Sequence, residues 1–227
     1  MIVYGVNPVR EALRGPREVY RIWAARGDWR GAPVSPAAPQ EIAARCGSDG
    51  HQGVCAEVEE YRYADAAALL ARSDPFLVAL DEVTDPQNLG AVCRTAEVAG
   101  ATGVILPQRR SAEVTPAVCK ASAGAVEHLA IARVRNLADL LADAKAAGCW
   151  CYGAAAGAKT GYRSPDYRGG VVLVLGAEGK GLRPRVRDAC DDLVALPVRG
   201  RIGALNVSAA AAVLMYEILQ QRLDTST

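Results

Sequence analysis

The chain has 227 residues, 51% hydrophobic and 22% charged, with a formal net charge of +1. That balance excludes wholesale disorder and predicts a well-buried core, in one large domain or one of about 150 residues plus a small one. No apolar run approaches the ~18 residues of a membrane span, and the start lacks a signal peptide's basic and apolar segments. The expectation is a soluble, cytoplasmic protein.

Residues 1–58 read as a small α/β unit. Asn7-Pro8 starts a short helix, since proline suits the first helical position. "EVYRIWAA" (18–25) reads as a strand, "PQEIAARCG" (39–47) as a helix ending at Gly47, and "HQGVCAEV" (51–58) as a second strand. The Gly- and Pro-rich stretch 27–39 predicts loop. Residues 59–75, charged and then alanine-rich, predict a partly helical linker.

From Phe76 to the end, short apolar runs alternate with helical patterns. Strands are predicted at 76–81, 102–107, 129–134, 149–155, 171–176 and 193–198. Helices are predicted at 86–100, 115–124 and 137–148, with a turn-rich stretch at 180–190. This alternation implies a mostly parallel sheet covered on both faces, whose ligands bind at the carboxyl ends of strands. In the last helix Val207, Ala211, Leu214, Met215, Ile218 and Leu219 form one apolar stripe. Packing on the protein's own sheet explains it; a partner subunit is the alternative.

Seven cysteines form no C-x-x-C pair, and only His51 and His128 accompany them. The expectation is no metal site, with thiols acting as small hydrophobes in a reducing compartment. The near-neutral net charge hides local excesses. Arg10, Arg14, Arg17, Arg21, Arg26 and Arg30 crowd the first thirty residues, and Arg183, Arg185, Arg187, Arg199 and Arg201 bracket a glycine-rich loop. Ordinary solvated surface is one reading; a polyanionic partner is the other.

Three stretches carry chemistry. "VVLVLGAEGKGLRP" (171–184) runs a buried strand into a loop with glycines at 176, 179 and 181. That order fits neither the dinucleotide fingerprint nor the phosphate loop. Glu178 sits inside it, where a role answering nearby arginines is the plain alternative. "LDEVTDPQNLGAVCRTAEVAG" (80–100) follows a strand end with Asn88 and Arg94 on a helix, Asp85 being explained as a helix cap. "LPVRGRIGALNVSAAAAVLMYEIL" (196–219) brings Asn206 and Ser208 to a helix start.

Together these stretches resemble the three motifs of the SpoU (TrmH-like) family of RNA ribose 2′-O-methyltransferases, in the SPOUT superfamily, across residues 76–222. "HQGVCAEV" and "PQRRSAEVTPAVCKASAGAVEHL" are further similar to the subgroup that methylates a guanosine in the peptidyl-transferase loop of large-subunit (23S) ribosomal RNA. The resemblance implies an α/β SPOUT fold with a C-terminal trefoil knot (76–227), a linker (59–75) and a small RNA-binding domain (1–58). It implies S-adenosylmethionine as cofactor, gripped by backbone near Gly176, Leu196 and Leu205, and a homodimer acting on RNA. Arg94 would activate the ribose hydroxyl, as a base or as a cation; Asn88, Glu178, Asn206 and Ser208 complete the catalytic set. Arg10, Arg14 and Arg21 are the candidate RNA contacts.

Two departures stand out. Ala204 replaces the serine that many members carry in the third motif, and the 27–39 stretch shortens the RNA-binding unit. The rival readings are a silent RNA-binding assembly protein, disfavoured by Asn88, Arg94, Glu178 and Asn206 together, and a Rossmann enzyme, disfavoured by the missing fingerprint. Transfer RNA or an antibiotic-resistance site on ribosomal RNA are alternative targets.

Overall fold

A computed structural model describes residues 1–224. The first unit is a four-stranded sheet built from β1 (Ile2–Tyr4), β2 (Val19–Ala24), β3 (Val34–Pro36) and β4 (Val54–Val58), in the order β1-β4-β2-β3. β4 runs antiparallel to β1 and β2, and β3 parallel to β2. β1 and β3 were not expected, because three residues are too few for an alternation to register. β3 arises inside the stretch expected to be loop, where Ile22 N donates to Pro33 O (2.9 Å) and Ala37 N to Ala24 O (3.1 Å).

Helix α1 (Val6–Arg14) buries Pro8, Val9 and Ala12 against the sheet face that carries Val3, Ile22 and Ala56. Helix α2 (Pro39–Cys46) closes at Gly47, whose φ of 66° is the left-handed stop glycine permits. It buries Ile42 and sets Arg45 4.5 Å above the Trp23 ring, so it lies on the other face.

Residues 59–75 are tied down rather than free. Tyr61 Oη donates to Leu129 O (3.1 Å), Val114 N donates to Tyr63 Oη (3.0 Å), and Ala64 N donates to Ile131 O (2.8 Å). Helix α3 (Ala66–Leu70) follows, capped by the Asp65 carboxylate.

The second unit is a seven-stranded sheet in which every pairing is parallel. Its strands are β5 (Phe76–Asp81), β6 (Gly103–Pro107), β7 (Ile131–Val134), β8 (Trp150–Ala154), β9 (Thr160–Gly161), β10 (Val171–Gly176) and β11 (Asp192–Ala195), in the order β7-β6-β5-β10-β8-β11-β9. Every residue of β5 and β6 is buried. Continuous apolar strands are what a sheet covered on both faces requires.

Helices α4 (Pro86–Val98), α5 (Pro116–Ala121) and α8 (Val207–Asp224) contribute Val92, Val118 and Leu214 to one core layer. Helices α6 (Leu137–Ala146) and α7 (Pro184–Ala189) contribute Leu140 and Val186 to the other. The predicted stripe of α8 faces inward: Val207, Ala211, Leu214, Met215 and Ile218 are buried. β9 was not expected, and two further details differ. A helix, α7, stands where turns were predicted, and the last strand spans 192–195 instead of 193–198.

Candidate active site

The three motif loops leave the carboxyl ends of β5, β10 and β11 and meet there. Asp85 caps α4, its carboxylate accepting from Gln87 N at 3.0 Å, so capping accounts for it fully. The cap places Asn88 in the first turn, where Asn88 Nδ2 donates to Glu178 Oε1 at 3.2 Å. Asn206 Nδ2 donates to Asn88 Oδ1 (3.0 Å) and also to Glu178 Oε1. Val207 N donates to the same carboxylate oxygen at 3.4 Å. Ser208 donates to Asn206 Oδ1 through its N (2.8 Å) and its Oγ (2.6 Å), making Asn206 the cap of α8. Asn88, Glu178, Asn206 and Ser208 therefore form one network, although 118 positions separate Asn88 from Asn206.

The loop carrying Glu178 is shaped by its glycines. Gly179 and Gly181 hold φ of 75° and 67°, and Gly181 N closes the turn onto Ala177 O at 2.8 Å. Gly176 answers a different need. A Cβ there would stand 2.2 Å from the backbone carbon of Gly181, so the returning chain crosses directly over it. Asp81, fully buried at the end of β5, fixes the exit by accepting from Arg183 N (2.8 Å) and Nε (2.7 Å). Arg183 also approaches Glu82 (3.6 Å), which pairs with Arg110 at 3.3 Å. Both Glu82 and Arg110 hold positive φ, 60° and 57°, a strained backbone for such side chains. A cleft of about 400 Å³ opens beside the network, lined by Glu82, Thr84, Asn88, Arg110, Glu178 and Lys180 among others.

Arg94 is not drawn into this network. Six residues beyond Asn88, it points about a third of a turn away along α4. Its side chain is exposed and makes no hydrogen bond or ion pair with the described residues. Leu196 packs on the core, whereas Leu205 is 53% exposed. Between them no residue from Pro197 to Leu205 makes a hydrogen bond among the described residues. Ile202, in the same loop, is 82% exposed.

Arg10, Arg14 and Arg21 are all exposed. Arg10 lies 5.9 Å from the Trp29 ring and Arg14 pairs with Glu11 at 2.8 Å. They do not share one face, because Arg21 alternates with Trp23 on the side of the sheet opposite α1. Arg17 and Arg183 leave the group of free surface cations altogether, the first buried against Glu127 and the second holding Asp81. Sequence reasoning missed Asp81, Glu82, Arg110 and Lys180. Asp81 did carry a signal: a carboxylate ending an apolar strand just before a motif loop.

The SpoU rRNA Methylase family matches residues 75–216, and the RNA 2′-O ribose methyltransferase substrate binding family matches residues 2–64. The 23S rRNA (guanosine-2′-O-)-methyltransferase RlmB of Pseudomonas syringae pv. tomato is 41% identical over 240 residues, covering 97% of this chain and 95% of that protein. The SpoU methyltransferase AviRb from Streptomyces viridochromogenes, crystallised with its cofactor AdoMet, superposes with a TM-score of 0.83 at 25% identity, covering 98% of this chain and 90% of that one. An AdoMet-bound rRNA methyltransferase from Sinorhizobium meliloti gives 0.81 at 28% identity, over 96% and 86% of the two chains. This chain belongs to the SpoU rRNA methylase family.

Proposed function

We propose that the protein transfers the methyl group of S-adenosylmethionine to the ribose 2′-hydroxyl of a guanosine in large-subunit ribosomal RNA. The observation that carries the reading is the Asn88–Glu178–Asn206 network, which joins three loops at the carboxyl ends of β5, β10 and β11. The named activity of the Pseudomonas relative supports the guanosine target, and the cofactor bound to the two structural neighbours supports S-adenosylmethionine.

The residues present fit that cofactor. Backbone groups of 197–205, free of hydrogen bonds among the described residues, lie beside the apolar side chains of Ile202 and Leu205. An adenine ring needs that combination: donors and acceptors for its edge and apolar atoms for its faces. Gly176, Leu196 and Leu205 would hold it. Bound there, the cofactor supplies a sulfonium methyl as the electrophile.

Arg94 acts on the other reactant. We assign it the role of a cation that stabilises the alkoxide developing as the hydroxyl proton leaves to solvent. Exposed and unpaired, Arg94 has its donors free for RNA. Asn88, Glu178, Asn206 and Ser208 hold the loops in register, and placement supplies much of the rate.

Residues 1–58 serve as the RNA-binding domain, with Arg10, Arg14 and Arg21 as phosphate contacts. Membership of the SpoU family supports a knotted path for the C-terminal chain. Val213, Tyr216 and Leu223, exposed on one face of α8, support a homodimer. Among the described residues no helix is long and apolar enough to cross a membrane, which accords with a place in the cytoplasm. Calorimetry without RNA tests the cofactor: S-adenosylhomocysteine should bind, and binding of NAD or ATP in its place would refute the reading.

A further inference from the structure

The buried ion pair between Arg17 and Glu127 joins the two units of the molecule, 110 positions apart in sequence. Their side chains are 5% and 1% exposed. Arg17 Nε donates to Glu127 Oε2 at 2.9 Å and its Nη2 to Oε1, a two-bond fork. Arg17 Nη1 donates to Glu59 O at 2.9 Å, and the guanidinium lies 5.6 Å from the Tyr61 ring. The packing around the pair is close. A Cβ at Gly15 would stand 2.9 Å from Glu127 Cβ, and one at Gly124 would stand 2.7 Å from Glu11 Cβ.

Further bonds follow the same seam. Glu11 Oε2 lies 2.9 Å from His128 Nε2, and Lys120 Nζ donates to Gln52 Oε1 at 2.9 Å. The partners of these bonds in the larger unit lie between Lys120 and His128. That segment is also the bed of α4: a Cβ at Gly90 would stand 2.4 Å from Ala121 Cβ and 2.9 Å from Ser122 N. α4 carries Asn88 and Arg94. The small unit thus reaches the candidate catalytic helix through one packed layer.

We propose that Arg17 and Glu127 are positioning residues, a buried joint through which the N-terminal unit sets the register of bound RNA on Arg94. The proposal rests on the RNA methyltransferase reading. A misplacement of about 1 Å far from the chemistry lowers a rate about a hundredfold, so a joint of this kind acts on turnover while the RNA contacts themselves stay intact. Removing one partner leaves an uncompensated buried charge, whereas replacing both by apolar side chains restores a packed seam.

The experiment uses the full chain and in-vitro-transcribed large-subunit ribosomal RNA. Glu127→Gln and Arg17→Met, each alone, should lower the single-turnover methylation rate at saturating RNA by about tenfold or more. RNA and S-adenosylhomocysteine affinities should stay within about twofold, and amides of 125–131 should exchange faster. The double variant Arg17→Met/Glu127→Leu should recover both rate and protection. Unchanged rates in the single variants, a loss confined to RNA affinity, or a double variant no better than the singles would overturn the proposal. If no variant folds, the wild type decides: its amides in 59–64 and 125–131 must exchange slowly and alike at about 0.1 M and about 1 M salt, because a buried pair is little screened. Fast exchange there refutes the joint. A wild type that never methylates RNA refutes the proposed function instead, so the two failures are distinct.

Discussion

Glu178 Oε1 accepts from Asn88, Asn206 and the amide of Val207, so a single oxygen holds three chain segments together. Asn206 has two separable tasks there: capping α8 through Oδ1 and bonding Glu178 through Nδ2. Asn206→Ala loses both and should cost about 1 kcal/mol of stability. Asn206→Asp keeps the cap but sets a carboxylate against Glu178, so the stability lost comes from that repulsion alone and should shrink at high salt, while methyl transfer falls at least about tenfold. Urea titration and single-turnover assays on the two variants separate the tasks; equal activity in Asn206→Asp and wild type would remove the Nδ2 bond from the site. The thiols give a second test. Burial pushes Cys93 up to about 12 and Cys119 up to about 11. At pH 8 both therefore stay as thiols, out of reach of an alkylating reagent. Iodoacetamide on the native protein should label half-buried Cys46 before either, read by mass spectrometry. The residue types of the site were visible in the sequence, but their convergence was not. Asn88 and Glu178 lie 90 positions apart, and only the family resemblance, not spacing, suggested that they meet. The burial of Arg17 was invisible for the same reason, since its partner lies in the other unit.

At the level of elements, the crossing at Gly176 is the tightest feature of the glycine loop. Gly176→Ala would drive a methyl into the backbone of Gly181, and main chain cannot swing aside as a side chain can. The expected loss is about 3 kcal/mol by chemical denaturation. Gly200, in the neighbouring motif loop, faces open space, and Gly200→Ala should change stability by less than about 0.5 kcal/mol. Similar costs at the two positions would contradict the close crossing. The buried parallel strands were readable because a sheet covered on both faces demands unbroken apolar runs, as in "FLVALD" and "VVLVLG". β1, β3 and β9 were not, having three, three and two residues and little burial contrast. α7 was hidden by its composition: "PRVRDA" buries only Val186, too little for a helical period to appear.

The whole molecule joins a small sheet to a larger one through a packed seam, and α8 leaves an outward face uncovered. Val213, Tyr216 and Leu223 are 41%, 49% and 55% exposed at spacings that share one side of the helix. If that face pairs two copies, wild type should scatter light as a dimer and Val213→Asp/Tyr216→Asp as a monomer; a monomeric wild type that methylates normally would exclude the dimer from the mechanism. The proposed role of Arg94 is to promote ribose methylation on a cofactor site that does not depend on it. The most direct measurement is single-turnover methylation of unmodified large-subunit ribosomal RNA by wild type and Arg94→Ala, with S-adenosylhomocysteine affinity measured in parallel. That role predicts a 2′-O-methylguanosine product from wild type, a loss of about a hundredfold or more in Arg94→Ala, and cofactor affinity unchanged within about twofold. Near-normal turnover by Arg94→Ala on bound RNA would contradict it.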